Sequence, residues 1–284
     1  MISEFPLFVF TTLAGLSAGA YVANAAFSVS GCGGMHGASA GEAGGFGGSD
    51  GAAEAARTGE GGASAVRPWL LPLTCLALLA VGLVFLPLHL GHPERMLIAL
   101  TQPGAMIAQE AYWSAALGVV LLVDLVLAKA KGPAPCALRI VGAVAALGLM
   151  FVMANAYFVS AGIPAWASWQ TFPLYFFGNL AMGAALVAVF ENGLMGKGGF
   201  FVALVALAAL ALVAFALEAV HFAGVGADMA LFVIAAALAA VAIVLVYLTK
   251  QGKLVLRAGA WATFACLLAA VACARYCFYA ACVL

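Results

Sequence analysis

Charged side chains are scarce in this chain of 284 residues. Only 8% of the residues are Asp, Glu, Lys or Arg, whereas 67% are hydrophobic, and soluble domains carry about a quarter charged residues. A soluble fold of this length has too little interior to hide so much apolar surface, so lipid must be the solvent for most of it. The formal net charge is zero, so neither nucleic acid nor another strongly charged partner is suggested.

Two sequence signals are also missing. The N-terminal residues 1–6 include no lysine or arginine, so we expect no cleaved signal peptide and interpret the first apolar run as a membrane span. The seven cysteines contain no Cys-x-x-Cys pair, so we expect neither an iron–sulfur cluster nor a zinc site in this chain. Five cysteines in apolar runs are predicted to be small core residues: Cys75, Cys266, Cys273, Cys277 and Cys282.

Eight apolar stretches are long enough to cross a membrane, which takes about 20 residues as a helix. A segment that crosses lipid must have its backbone hydrogen bonds satisfied, and a helix satisfies them within the segment. The predicted fold is therefore an all-α integral membrane bundle. The spans are predicted at residues 5–29, 69–90, 108–129, 137–159, 172–191, 199–222, 227–248 and 256–281. A tract rich in Gly, Ala and Ser at residues 30–67 cannot bury a core, and we expect a flexible cytoplasmic loop insertion there.

The orientation follows from the basic residues, which favour the cytoplasmic side. The connections after spans one, three, five and seven hold Arg57, Arg67, Lys129, Lys131, Arg139, Lys197, Lys250, Lys253 and Arg257. The opposite side holds only Arg95, with Arg275 near the end of the last span. We therefore predict that both termini lie outside, in a multi-pass protein of the cytoplasmic membrane.

Ionisable residues inside a membrane are costly and are usually paired or functional. Six candidates stand in or at the ends of the spans: His89, Glu110, Asp124, Glu218, His221 and Arg275. Topology places five of them at the outer ends of four helices. Asp124 alone falls toward the cytoplasm, close to Lys129 and Lys131, and we interpret it as a snorkelling, interfacial charge.

The five outer residues are predicted to form a proton-handling pocket. Glu218 and His221 are three residues apart and share a helix face. Carboxyl and imidazole groups in such a setting are suited to accept protons from a bound acid. Simpler roles stay open: His89 as a helix cap, Glu110 as a partner of a helix dipole, Arg275 as an ion-pair partner of Glu218, and His221 as an interfacial side chain.

Several segments carry a resemblance to a known family. They are Leu88-His89-Leu90-Gly91-His92-Pro93-Glu94-Arg95 with Gly104-Ala105 and Glu110, residues 155–157, residues 163–166 with Trp169 and Pro173, and Arg275-Tyr276-Cys277-Phe278-Tyr279. With the first span and the stretch around Glu218, the chain resembles the membrane anchor subunits of dimethyl sulfoxide reductase-type complexes. The resemblance covers nearly the whole chain except residues 30–67, which look like an insertion.

The resemblance implies a specific activity. Such anchors hold a molybdopterin catalytic subunit and a ferredoxin-like iron–sulfur subunit on the extracytoplasmic face. They oxidise menaquinol in anaerobic respiration and pass its electrons to the iron–sulfur subunit, without haem of their own. The family's quinol-binding histidine and glutamate match His89 and Glu110, so we expect these two as catalytic residues, with Arg275, Glu218 and His221 completing the quinone-binding site. The terminal substrate would be reduced by the partner.

Two other functions stay open. A haem-b-binding cytochrome anchor is allowed because His89 and His221 lie at similar depth on different helices, as bis-histidine ligation requires. A secondary transporter would instead carry an internal repeat with broken helices near the midplane. Two roles likewise stay open for the loop over residues 163–173. Its tryptophans form an interfacial belt, or they form a docking surface for an outer partner.

Overall fold

The computed structural model describes residues 4–32, 67–90, 92–191 and 193–281, with the backbone alone at 28–32, 89 and 93. The predicted loop insertion over residues 30–67 therefore lies almost entirely outside the described residues. The elements found are helices, which confirms the all-α membrane class predicted from the sequence. The helices are α1 (Phe5–Cys32), α2 (Leu70–Phe85), α3 (Met96–Leu100), α4 (Met106–Ala130), α5 (Cys136–Phe158), α6 (Thr171–Phe190), α7 (Gly198–Gly224), α8 (Ala230–Lys250) and α9 (Leu256–Ala280).

Seven of the described helices are long and apolar enough to cross a membrane, whereas α2 is shorter. Its 16 residues extend over about 24 Å, compared with about 30 Å of hydrocarbon. The predicted second span, 69–90, ends early as a regular helix because Pro87 has no N–H group to continue the α-helical ladder. A single 3₁₀ turn, Pro87–His89, follows and closes with a hydrogen bond from the Leu90 N–H to the Pro87 carbonyl.

Helix α2 runs antiparallel to both α1 and α4. The Ser17 hydroxyl of α1 donates to the Cys75 carbonyl of α2 at 2.8 Å. At the start of α2, the Trp69 ring lies 5.1 Å from the ammonium group of Lys129, which stands at the end of α4. The short helix thus packs along its neighbours over its whole length.

Helices α1 and α6 form the centre of the bundle. Two thirds of their membrane-spanning residues (67%) are buried, against 28–39% in the other five long helices. Glycines allow this close approach, because a Cβ atom on Gly19 would lie 1.9 Å from the Asn179 carbonyl oxygen. One on Gly183 would lie 2.2 Å from the backbone nitrogen of Ala20. Small residues that let two backbones touch are a common way of joining helices in lipid.

The bundle has two chemically different ends. At the terminal end, α1 begins and α9 ends, and the Phe8 and Tyr276 rings meet edge to face at 6.2 Å. At the basic end, the Lys250 ammonium group donates to the Gly196 carbonyl at 2.5 Å, which joins two loops. The described basic residues at this end are Arg67, Lys129, Lys131, Arg139, Lys197, Lys250, Lys253 and Arg257.

Candidate functional site

A buried network of four hydroxyl groups lies in the half of the bundle next to the terminal end. The Tyr279 hydroxyl is its hub, at 2.8 Å from the hydroxyls of both Tyr157 and Tyr175 and 3.0 Å from that of Thr11. These residues come from α9, α5, α6 and α1, and all four are buried. The network therefore ties the first and last helices to the middle of the chain.

The Tyr157 hydroxyl has hydrogen-bonding capacity to spare. A phenolic hydroxyl carries a single hydrogen, and Tyr279 donates its hydrogen to Tyr157. The hydrogen of Tyr157 then has no acceptor among the described residues. A buried donor without an acceptor costs about 1–3 kcal/mol, so this position favours a ligand oxygen or a water molecule beside Tyr157.

Arg275 is fully buried next to this network. Its Nη2 donates to the Asn179 side-chain oxygen at 3.1 Å, and its Cζ lies 3.4 Å from the centre of the Tyr175 ring. The Nε and Nη1 atoms have no partner. No carboxylate oxygen of the described residues lies within 4.0 Å of the guanidinium, so the alternative of a direct ion pair with Glu218 is wrong. Two nitrogen atoms of a buried cation, with three N–H donors between them, thus remain open.

Glu110 is a second buried ionisable residue within electrostatic range of Tyr175. Helix α4 begins at Met106, so Glu110 falls in its second turn and faces the interior rather than serving the helix terminus. The carboxyl group is 4% exposed, and its Oε1 atom has no hydrogen-bond partner. It interacts electrostatically with Tyr157 and Tyr175, and Tyr175 is also within electrostatic range of Arg275. We call Glu110, Tyr157, Tyr175, Tyr279 and Arg275 the terminal cluster.

Among the described residues, Glu218 and His221 form no hydrogen bond or ion pair with the terminal cluster. Glu218 is fully buried on α7, and both of its carboxylate oxygens lack a partner. His221, one turn further on, is only partly buried, and its Nε2 lies 3.2 Å from the Pro164 carbonyl oxygen. The two residues share a helix, but the imidazole is engaged with the loop over residues 159–170.

His89 is placed by its backbone only. It ends the 3₁₀ turn Pro87–His89 that follows α2, and this turn packs against α1 at the terminal end. Its side chain lies outside the described part of the structure, so its role as a quinol ligand stays a prediction. The neighbouring His92 is exposed, and its Nδ1 lies 2.9 Å from the Glu94 carboxylate.

Asp124 corrects the sequence interpretation. It is 2% exposed, whereas a snorkelling charge would reach the membrane surface. Eight residues of α4 are buried, and six of them form one stripe at helical spacing: Glu110, Ser114, Leu117, Leu121, Asp124 and Ala128. Asp124 therefore belongs to the inner stripe of α4, and this spacing in the sequence was the signal that identifies it as an interior residue.

The sequence also gave no role to the tyrosines that build the site. Tyr157 and Tyr279 stood in the segments that carry the family resemblance, but Tyr175 and Asn179 did not. Trp166 belongs to the same packing, since its indole N–H donates to the Phe278 carbonyl at 2.7 Å. A polar atom on a buried aromatic side chain generally requires a partner, and that requirement is the signal that could have pointed to these residues.

The terminal cluster is suited to hold a small polar headgroup in an apolar surrounding. It offers open donors from a fixed cation, an open carboxylate oxygen and an unused tyrosine hydrogen, all within a few side chains of one another. Its hydroxyl network can exchange protons between neighbours. Neither a protein-family model nor a curated protein sequence matches this chain significantly.

Proposed function

We propose that this chain is the membrane anchor and menaquinol-oxidising subunit of a molybdopterin oxidoreductase complex. The observation that carries the proposal is a pair of open groups that both lie within electrostatic range of Tyr175, the Arg275 guanidinium and the Glu110 carboxyl. A ligand that bridges them must enter an apolar bundle, carry oxygen atoms and give up protons. A quinol with an apolar tail meets all three requirements.

The residues of the terminal cluster have separate roles in this proposal. Menaquinol, as substrate, supplies two electrons and two protons. Glu110 accepts a hydroxyl proton as general base, and Arg275 donates hydrogen bonds to the oxygen on which negative charge develops. Tyr157 donates its free hydrogen to the same headgroup. His89, matched to the family's histidine, accepts the hydrogen bond of the second hydroxyl.

The hydroxyl network offers an exit for the proton. It runs from Tyr157 through Tyr279 to Thr11, which stands in the second turn of α1 near the terminal end. Because Tyr279 donates to Tyr157 in this structure, the hydroxyls must first rotate so that Tyr157 donates to Tyr279 and Tyr279 donates to Thr11. A proton taken up at Tyr157 is then passed as far as Thr11, which is itself buried. This route would carry protons toward the same end of the bundle at which we place the soluble partners.

The partners and orientation follow from the same proposal. We count α2 as the eighth crossing, because it packs antiparallel between α1 and α4. The basic end then faces the cytoplasm, and both termini lie outside. An iron–sulfur subunit docks at the terminal end, receives the electrons and passes them to a molybdopterin subunit, while this chain holds neither haem nor cluster.

The first test is direct binding of a quinol analogue. The full-length chain in detergent is titrated with menadiol, a naphthoquinol without the tail, and quenching of tryptophan fluorescence is followed. We expect saturable binding that weakens about 10- to 100-fold in Glu110→Gln and Arg275→Gln, since each removes a charge-assisted hydrogen bond of about 1.5–3 kcal/mol. Glu191→Gln and Arg257→Gln, at the basic end of the same bundle, should bind as the wild type does.

Two results would oppose the proposal. One is a wild-type chain that shows no saturable binding of menadiol. The other is unchanged affinity in both Glu110→Gln and Arg275→Gln. The partners are tested separately by isolating the tagged chain from its native membranes in mild detergent and measuring iron and molybdenum. We expect both metals to co-purify, and their consistent absence would contradict the assignment to a molybdoenzyme complex.

A further inference from the structure

A second buried polar group lies in the half of the bundle next to the basic end. Asp124 of α4, Tyr21 of α1 and Arg139 of α5 converge there, with Cys75 of α2 beside them. Along α4, Asp124 is 14 residues from Glu110, which corresponds to about 21 Å. This group is therefore separate from the terminal cluster, and we call Asp124, Tyr21 and Arg139 the basic-end cluster.

The members of the basic-end cluster face each other without pairing. The Tyr21 hydroxyl points at the Asp124 carboxyl but closes no hydrogen bond of good geometry, and Asp124 Oδ2 has no partner. The Nε atom of Arg139 is buried and also has no partner. No nitrogen of Arg139 lies within 4.0 Å of the carboxylate. A static ion pair would have closed this gap.

The surrounding packing holds these side chains apart. A Cβ atom on Gly142 would lie 2.2 Å from the Tyr21 ring, so α5 presses directly on that ring and fixes its position. On the other side, the hydrogen bond from Ser17 to the Cys75 carbonyl fixes α1 against α2. Three polar atoms on these helices are buried without a partner, the Tyr21 hydroxyl, Asp124 Oδ2 and Arg139 Nε. Buried water typically binds two to four such groups.

The cluster lies close to the aqueous phase at the basic end. Arg139 is only partly buried and stands in the first turn of α5. Asp124 is six residues before the end of α4, or about 9 Å along the helix. The charged and titratable groups that face Asp124 are Tyr21 from α1, Cys75 from α2 and Arg139 from α5.

We propose that Asp124 is a proton-binding group in a hydrated site shared with Tyr21 and Arg139, and that it exchanges protons with the aqueous phase at the basic end. The Arg139 guanidinium favours the ionised carboxylate, whereas burial favours the neutral acid. The Tyr21 hydroxyl can donate to the carboxylate or accept from the acid, so it serves both forms. This inference is independent of the quinol proposal, because it uses no residue of the terminal cluster.

The test uses a water-soluble carbodiimide, which reacts with the protonated form of a carboxyl group. The full-length chain in proteoliposomes is treated at a series of pH values from about 5 to about 9, and modified peptides are mapped by mass spectrometry. We expect Asp124 to be modified, at a rate that rises as the pH falls. Reagent added only on the side of the basic end should be sufficient.

Variants separate proton exchange from a structural role. Arg139→Gln removes the charge that favours the carboxylate, so modification of Asp124 at a given pH should rise about tenfold. Tyr21→Phe keeps the ring that packs on Gly142 and removes only the hydroxyl, and it should change the rate severalfold. Asp124→Asn should lose the modified peptide while circular dichroism shows the helical content of the wild type.

Three outcomes would overturn the proposal. The first is an Asp124 that stays unmodified at every pH while other carboxyl groups of the chain react. The second is modification that is independent of pH and unaffected by Arg139→Gln. The third is modification that requires reagent at the terminal end. The wild-type experiment alone decides the first, so the proposal does not depend on whether a variant folds.

Discussion

The Arg275 guanidinium carbon lies 3.4 Å from the centre of the Tyr175 ring. At this distance the planar guanidinium is in van der Waals contact with the aromatic face, and a buried cation gains about 2 kcal/mol or more from such a position. The same tyrosine ring is stacked on Tyr157 at 5.6 Å and hydrogen-bonds Tyr279. Tyr175 therefore holds Arg275 in place and links it to the hydroxyl network.

The stacking contact predicts an order of stability among variants of Tyr175. Tyr175→Phe keeps the aromatic face and loses the hydroxyl, so we expect a loss of about 1 kcal/mol. Tyr175→Leu also exposes the buried cation to an aliphatic side chain and should destabilise the chain by about 2–4 kcal/mol. In thermal unfolding in detergent, the wild type should have the highest melting temperature, Tyr175→Phe an intermediate one and Tyr175→Leu the lowest. Equal melting temperatures for the two variants would show that the stacking contributes nothing.

Loss of the hydroxyl at Tyr279, the hub of the network, should destabilise the chain more than its loss at Tyr157. Tyr279→Phe removes three hydrogen bonds, whereas Tyr157→Phe removes one. At about 1 kcal/mol for each bond, we expect a difference of about 2 kcal/mol in the free energy of unfolding. Unfolding in mixed micelles with increasing denaturing detergent measures it. A Tyr157→Phe variant as unstable as Tyr279→Phe would contradict the hub arrangement.

The contact between α1 and α6 should not tolerate even one methyl group. Gly183→Ala and Gly19→Ala place a Cβ atom against backbone atoms that have nowhere to move, so each should cost about 1–3 kcal/mol or more. Gly118→Ala is the matched control, because its Cβ atom would meet only the Leu79 side chain, at 3.7 Å. The yield of monodisperse protein and its melting temperature should fall only in the first two variants.

The proposed topology can be tested at positions that accept a new side chain. A Cβ atom on Gly196, Gly162 or Gly104 would have no neighbour within 4 Å, so cysteines there should leave the fold intact. In whole cells, a membrane-impermeant maleimide should label Gly162→Cys and Gly104→Cys but not Gly196→Cys. An N-terminal epitope tag should be accessible together with Gly104→Cys, because α2 then crosses the membrane.

Other labelling patterns would show which part of the proposed topology is wrong. Labelling of Gly196→Cys alone would reverse the orientation. A tag and a Gly104→Cys on opposite sides would mean that α2 does not cross.

Cys136, at the start of α5 and thus at the basic end, is disulfide-bonded. Disulfides persist mainly in oxidising compartments, so this bond favours the reverse orientation and makes the experiment decisive.

The membrane class and most helices could be predicted from the sequence because lipid imposes one strong requirement, a long apolar run. The helices of membrane length begin and end within a few residues of the predicted spans. Helix α2 was the exception, since hydropathy does not detect the change from α-helix to 3₁₀ turn that Pro87 imposes. Hydropathy also carries no information on the central position of α1 and α6, which depends on glycine contacts between distant segments.

The candidate site was harder to predict because a list of ionisable residues does not say which of them meet. Glu110 and Arg275 lie within electrostatic range of the same tyrosine, whereas both carboxylate oxygens of Glu218 are buried without a hydrogen-bond partner. Asp124 was misinterpreted because proximity to Lys129 along the chain was given more weight than its helical face. Tyrosines were overlooked because they do not interrupt an apolar run, although their hydroxyls are the principal polar contacts of the terminal cluster.

The hydroxyl network joins the first helix to the last, and this has a consequence for biosynthesis. Thr11 emerges from the ribosome early, but its partner Tyr279 follows 268 residues later. The terminal cluster is therefore incomplete in every nascent intermediate. A chain that stalls or is cut before α9 contains α1 to α8 and still lacks both the hub of the network and the Arg275 cation.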